Sequence, residues 1–144
     1  MASITSIVQA LVTAVSEDIT FLKGDSAFQN FLADKVEDFP IALMDTPIKF
    51  NVTHRQSGYK EIEYSVMIMF ADKTVLEAAD ADRRTVIDVQ TGYMLDFISA
   101  CERNTDVRTF SAQGGYELHD VFDVNVSGVV LEINIVPKND RSIC

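Results

Sequence analysis

Few residues in this chain are suited to covalent or acid–base chemistry. It contains two cysteines, Cys101 and Cys144, and two histidines, His54 and His119. Nucleophilic catalysis needs a serine or cysteine held beside a base, and the sequence has neither a Gly-x-Ser-x-Gly motif nor a cysteine with a base close by in the chain. We therefore predict no catalytic residue, histidines that are structural or solvent-exposed, and two free thiols in a reducing compartment.

Pairs of acids come closest to a metal-binding pattern. Asp80 and Asp82 are separated by one residue, and Asp120 and Asp123 by two. A calcium loop needs oxygen ligands at alternate positions around a central glycine, whereas residues 72–82 contain no glycine and place apolar residues at ligand positions. Zinc would need a cluster of cysteines and histidines. We expect these acids to cap a helix or lie in solvated loops, and we predict no metal.

A pair of glutamates and a pair of glycines are two further patterns that could serve catalysis or cofactor binding. Glu61 and Glu63 lie on one face of a predicted strand, about 7 Å apart by strand rise, a pairing that a glycosidase could use. The chain has no tryptophan to bind a sugar. The sequence Gln113-Gly114-Gly115 lacks the lysine of a phosphate-binding loop and predicts a turn after a strand at 107–112. We predict no cofactor, and an enzyme built from scattered acids is the third alternative for function.

Composition argues against several classes of partner. The chain has 144 residues, of which 47% are hydrophobic, and a net charge of −10; these values predict one globular domain over 1–144. Nucleic acids and anionic membranes are bound mainly by basic residues, so neither is an expected partner. The sequence also lacks a run of roughly 20 apolar residues that could span a membrane. The charge is uneven, because residues 49–60 hold three bases and no acid.

The N-terminal segment has the spacing of an amphipathic helix. Apolar residues recur every three or four positions over 4–22. This pattern predicts a helix within 1–24, with Ser3 as its N-cap and Gly24 at its end. The following segment, 25–38, fits either a short second helix or an ordered loop.

The segment 40–71 has the alternation of β-strands. A short apolar strand is predicted at 40–44, and a hairpin follows whose tip lies near His54–Tyr59. The alternation matches three cross-strand pairs on one face: Ile48 with Val66, Phe50 with Tyr64, and Val52 with Ile62. We expect solvent on one side of the tip, burial on both sides of the base, and a hairpin that projects from the body.

The rest of the chain repeats the order of helix and then strands. A helix is predicted over 80–103, where Gly92 indicates either a close neighbour or a bend. Strands are predicted within 107–137, and a change of apolar parity at Ser127-Gly128 indicates a bulge or short loop. Residues 138–144 form a polar tail. The fold class is therefore α+β: a mainly antiparallel sheet with a long hairpin, packed against two principal helices as a sandwich.

This element order resembles that of a known protein family. The elements that carry the resemblance are the N-terminal amphipathic helix, the short strand Phe39-Pro-Ile-Ala-Leu-Met-Asp45, the long hairpin, the helix at 80–103 and the final strand Gly128–Pro137. In this order they are similar to the head–tail joining and tail-terminator proteins of tailed bacteriophages, especially small neck and tail-completion proteins. The resemblance implies a tail-terminator-like sandwich. It also implies a non-enzymatic virion protein of the head–tail region that is made in the host cytoplasm.

The resemblance further implies a ring of identical subunits, six-fold or twelve-fold, which contacts neighbouring portal, connector or tail proteins. DNA would only pass through its lumen, where acidic residues repel phosphate. The basic hairpin in an acidic chain independently suggests that one copy lies on the acidic face of the next. The predicted subunit-interface residues are Lys49, His54, Arg55, Gln56, Tyr59 and Lys60. The second alternative is a small adaptor module that docks a protein partner through its hairpin or a sheet edge.

Overall fold

A computed structural model describes residues 3–24, 40–58, 60–73, 80–121 and 126–138. Within these residues it has two helices and six strands, and most strand pairs are antiparallel, which confirms the predicted α+β class. In chain order the elements are α1 (Ile4–Val15), β1 (Thr20–Gly24), β2 (Ile41–Asp45), β3 (Lys49–His54), β4 (Lys60–Lys73), α2 (Asp80–Arg103), β5 (Val107–Val121) and β6 (Val126–Pro137). The predictions made for 25–38, Tyr59 and 139–144 lie outside the described residues.

The strands form one sheet in the order β1-β2-β4-β6-β5, and β3 also pairs with β4. The pair β1–β2 is parallel, and the other described pairs are antiparallel. Strand β4 pairs with three other strands. On one side its residues 68–71 pair with β2 and its residues 60–65 with β3, and on the opposite side its residues 64–73 pair with β6. Strands β2 and β3 therefore follow one another along the same edge of β4.

Helix α1 begins where the sequence predicted and ends earlier. The Ser3 hydroxyl accepts a hydrogen bond from the Ser6 amide at 3.1 Å, so the predicted N-cap is confirmed. The helix stops at Val15, and the Ser16 hydroxyl accepts from the Asp18 amide at 3.1 Å, a local bond that competes with the helical pattern. The predicted helix through residue 22 is therefore wrong, because Thr20–Gly24 is strand β1.

Both helices pack on one face of the sheet, as predicted for a sandwich. Phe97 of α2 meets Phe70 of β4 edge to face, with ring centroids 5.6 Å apart. Residues of α1, α2 and the central strands share this helix-side core, including Ile7, Val8, Leu11, Val12, Val66, Ile68, Ile87, Cys101, Leu131, Ile133 and Ile135. A second apolar cluster on the other face contains Ile41, Leu43, Met69, Ala71, Val126 and Val130. On β4 the base of the hairpin is thus buried on both faces, as expected, whereas every residue of β3 is exposed.

Strand β5 corrects two predictions. It runs unbroken through Gly114 and Gly115, so the predicted turn at 113–115 is wrong. It has 15 residues against 12 in β6, and the three extra residues are accommodated at three register shifts, which are β-bulges. A side chain at Gly115 would collide with the backbone carbonyl of Val130. This glycine is therefore required by close approach of two strands.

The predicted bulge at Ser127-Gly128 is also displaced in the structure. The pairing of β6 with β4 passes through these residues without interruption, and the irregularity lies on the partner strand, between Leu118 and Val121 of β5. Helix α2 has the predicted bounds, and a side chain at Gly92 would meet nothing within 4 Å. A close neighbour therefore does not explain that glycine.

Candidate assembly surface

The hairpin extends beyond the body of the sheet as a two-stranded arm. We define the arm as residues 49–58 and 60–63. Strand β6 reaches only Tyr64 of β4, so residues 60–63 pair with β3 alone among the described strands. The tip closes with a hydrogen bond from the Gly58 amide to the Arg55 carbonyl at 3.0 Å, and Gly58 has a φ of 89°, a conformation that favours glycine. The predicted projecting hairpin is confirmed.

One face of the arm is apolar and uncovered. The predicted pairs Phe50–Tyr64 and Val52–Ile62 are confirmed, and the Phe50 and Tyr64 rings lie 6.0 Å apart. Tyr64 packs against the helix-side core, whereas Phe50 and Val52 are 59% and 58% exposed. The expectation of solvent on one side only is wrong for the tip, because the apolar side is exposed as well. The arm therefore carries an apolar surface in contact with solvent.

The predicted interface residues lie around this surface. His54 pairs with Lys60 at the end of the hairpin ladder, Arg55 and Gln56 form the turn, and all four are exposed. Lys49 is exposed at the base of the arm and lines a cavity of about 230 Å³ together with Asp45, Thr46, Pro47, Ser65, Met67 and Glu132. The structure therefore places His54, Arg55, Gln56 and Lys60 together at the tip of the arm. Lys49 lies at the other end of the arm.

An ion pair ties the arm to the body. Arg108, at the start of β5, donates from Nη1 to Oε2 of Glu61 at 2.6 Å. This contact gives one of the two candidate glycosidase carboxylates a structural partner. This bond links the start of β5 to the arm on the face opposite Phe50 and Val52.

A second uncovered apolar surface lies between α2 and β5. This α2–β5 groove has a volume of about 540 Å³. Its lining residues are Thr91, Met94 and Ile98 of α2, residues 112–117 of β5, and Val129, Val130 and Leu131 of β6. Sequence reasoning missed the groove because residues 113–115 were predicted as a turn. The signal that could have found it is the small side chains at 112, 114 and 115, which leave room beside the helix.

Charged residues close one end of the groove. Arg84 of α2 donates two hydrogen bonds to the Glu117 carboxylate, at 2.7 and 2.9 Å, and its Nη1 lies 3.8 Å from Asp88. These hydrogen bonds, with the guanidinium charge, hold the pKa of Glu117 below its ordinary value. The same bonds, with the carboxylate charge of Glu117, raise the pKa of Arg84. His119 lies 3.8 Å from Glu117. Both histidines are exposed, which is one of the two placements predicted for them.

Helix α2 buries one polar side chain, Gln90, and one thiol, Cys101. Gln90 is 1% exposed, and neither amide atom has a hydrogen-bond partner among the described residues. Cys101 is a free thiol and 1% exposed, and burial raises its pKa to about 12. A thiol that stays protonated at neutral pH is a poor nucleophile.

The described residues contain no group of three or more His, Cys, Asp or Glu side chains placed to hold a metal ion. Within the same part of the chain, no helix is long and apolar enough to cross a membrane. Searches of protein-family models and of curated proteins found no match to this sequence. The resemblance to phage head–tail proteins therefore stays a prediction based on element order.

Proposed function

We propose that this chain is a non-enzymatic structural protein that assembles with copies of itself into a ring through its arm. The observation that carries the proposal is the arm itself: two strands beyond the body, with Phe50 and Val52 more than half exposed. Large apolar side chains held in solvent on a projecting element are typical of an interaction site. Combined with the resemblance given above, the proposed ring belongs to the head–tail interface of a tailed bacteriophage, as a neck, connector or tail-terminator component.

Charge supports contact between different faces of neighbouring copies. Residues 49–60 hold three bases and no acid, and the remainder of the chain carries 22 acids and nine bases. With Glu61 and Glu63 included, the arm carries a net charge of +1 and the rest of the chain −11. The arm therefore attracts the body of another copy more than it attracts a second arm. Contacts between two different surfaces are heterologous, and they close into a ring when the rotation per subunit permits. In such a ring, acidic residues facing the lumen would repel the phosphates of passing DNA.

The same exposed arm also favours a second candidate function, an adaptor that docks a different protein and stays monomeric. Solution mass separates the two. Native mass spectrometry with negative-stain imaging of the purified protein is expected to show closed rings of one subunit number. A monomer at every concentration would reject self-assembly and favour the adaptor.

Charge reversal on the arm tests which element makes the contact. The variant Arg55→Glu with Lys60→Glu is expected to abolish rings while circular dichroism shows a folded monomer. The matched control, Lys23→Glu with Lys138→Glu, changes the net charge equally at two exposed positions outside the arm and should still assemble. Rings that form equally well from both variants would remove the arm from the proposal.

A further inference from the structure

We infer that the α2–β5 groove of one copy receives the apolar face of the arm of the next copy. This inference depends on the proposed self-assembly and names the surface that accepts the arm. The described residues include an apolar surface that projects and an apolar groove that is recessed. Phe50 and Val52 project from the arm, and the groove offers Met94 and Ile98 on one wall and the small residues of β5 on the other.

The arm of one copy cannot reach the groove of the same copy. The groove includes Val130 of β6, which pairs with Met69 of β4. The arm begins beyond Tyr64 and runs away from that point. Five residues of strand separate the two positions, about 17 Å at the usual rise per residue, and β6 lies between β4 and the β5 wall of the groove. An arm that enters the groove must therefore belong to another copy.

The charges around the groove match those of the arm. Asp88 and Glu117 lie beside one end, with Arg84 between them. Glu102 is exposed one helical turn beyond Ile98, on the same face of α2. These residues leave an excess of acid along the groove. The arm that would enter it holds three bases and two acids, and one of these acids, Glu61, is paired with Arg108. Opposite charges around an apolar contact fix its orientation and speed association.

Strand addition along β5 is a less suitable use of the same region. An added strand needs a regular row of backbone donors and acceptors, and β5 has three register shifts within 15 residues. Bulges of this kind are a common device against edge pairing. Side chains that enter the groove do not need a regular edge. The structure thus favours docking of the arm's apolar face over extension of the sheet.

Two variants test the contact from its two sides. Ala112→Trp fills the groove with a bulky side chain on an exposed strand position. Its control, Ser111→Trp, adds the same bulk at the preceding residue, which points to the opposite face of the sheet. Phe50→Thr with Val52→Thr removes the apolar face of the arm and keeps residues that favour strands; its control is Asn51→Thr on the other face. Thermal unfolding verifies that every variant is folded.

Each test variant alone is expected to be monomeric, and each control is expected to form rings. Mixing the two test variants should produce a one-to-one dimer and nothing larger in native mass spectrometry, because the intact arm of one fits the intact groove of the other. If the wild type forms rings and Ala112→Trp does so as well, the groove is not the acceptor and the proposed ring stands. If the wild type never assembles, the proposed function fails and the inference fails with it.

Discussion

Arg84 of α2 and Glu117 of β5 form a two-point ion pair, with both guanidinium Nη atoms donating to the carboxylate at 2.7 and 2.9 Å. The pair joins the helix layer to the edge strand at the end of the α2–β5 groove. It connects residues 33 positions apart in the sequence, so the folded state holds it and the unfolded chain does not. Its charge state therefore links stability to pH.

Glu117→Gln is expected to lower stability at pH 7 and to lose this effect in acid. Arg84 lowers the pKa of the Glu117 carboxyl in the folded state. A lowered folded pKa stabilises the fold above the ordinary carboxyl range, and this contribution disappears as pH falls through the lowered value. Urea unfolding at several pH values between 7 and 2.5 measures the difference. Glu17→Gln, at an exposed turn position, is the control. A wild-type advantage that grows in acid would contradict the assignment.

Gln90→Leu is expected to raise the free energy of unfolding by about 1–2 kcal/mol, because an unpaired buried amide costs about that much relative to an apolar side chain of similar size. Gln90 is 1% exposed without a described partner for either amide atom. Chemical denaturation measures the change. Gln9→Leu, on the exposed side of α1, should alter stability little. A destabilised Gln90→Leu variant would mean that the amide makes a bond that its described surroundings do not reveal.

Two glycines should respond oppositely to alanine. Gly92 is exposed within α2, and an added methyl meets no atom within 4 Å, so Gly92→Ala should stabilise by about 1 kcal/mol through helix propensity. At Gly115 the methyl would meet the Val130 carbonyl, and Gly115→Ala should destabilise by about 1–3 kcal/mol. Thermal and urea unfolding of the two variants decide the matter. Equal effects at both positions would contradict the close approach of β5 to β6.

Local patterns predicted the elements whose neighbours in space are also neighbours in sequence. The alternation around Phe50 and Tyr64 identified the hairpin and its register, because both strands and the turn lie within one short segment. The Ser3 cap followed from one residue and its position before an apolar repeat. The bounds of α2 followed from its apolar periodicity and the acids at its start.

Predictions failed where distant strands decide the structure. Ile19 and Leu22 continue the spacing of α1, yet pairing with β2 makes the segment Thr20–Gly24 a strand. Gly114 and Gly115 have the composition of a turn, yet β6 supplies a partner that carries β5 through them. The α2–β5 groove exists only because β5 continues through these glycines. The wrong prediction of a turn there therefore concealed a surface formed by α2, β5 and β6. The arm was visible in the sequence, and the α2–β5 groove was not.

Cys101 is expected to be unreactive in the folded protein. Its thiol is 1% exposed, and burial raises its pKa to about 12, so both access and ionisation oppose reaction at pH 8. The test uses a Cys144→Ser variant, which leaves Cys101 as the one thiol, with a chromogenic disulfide reagent. Negligible reaction over minutes is expected under native conditions, and one equivalent should react at once in denaturant. The denatured sample is the control for an intact thiol. Rapid native labelling would show that α2 separates readily from the sheet, which would contradict a packed contact between Cys101 and the helix-side core.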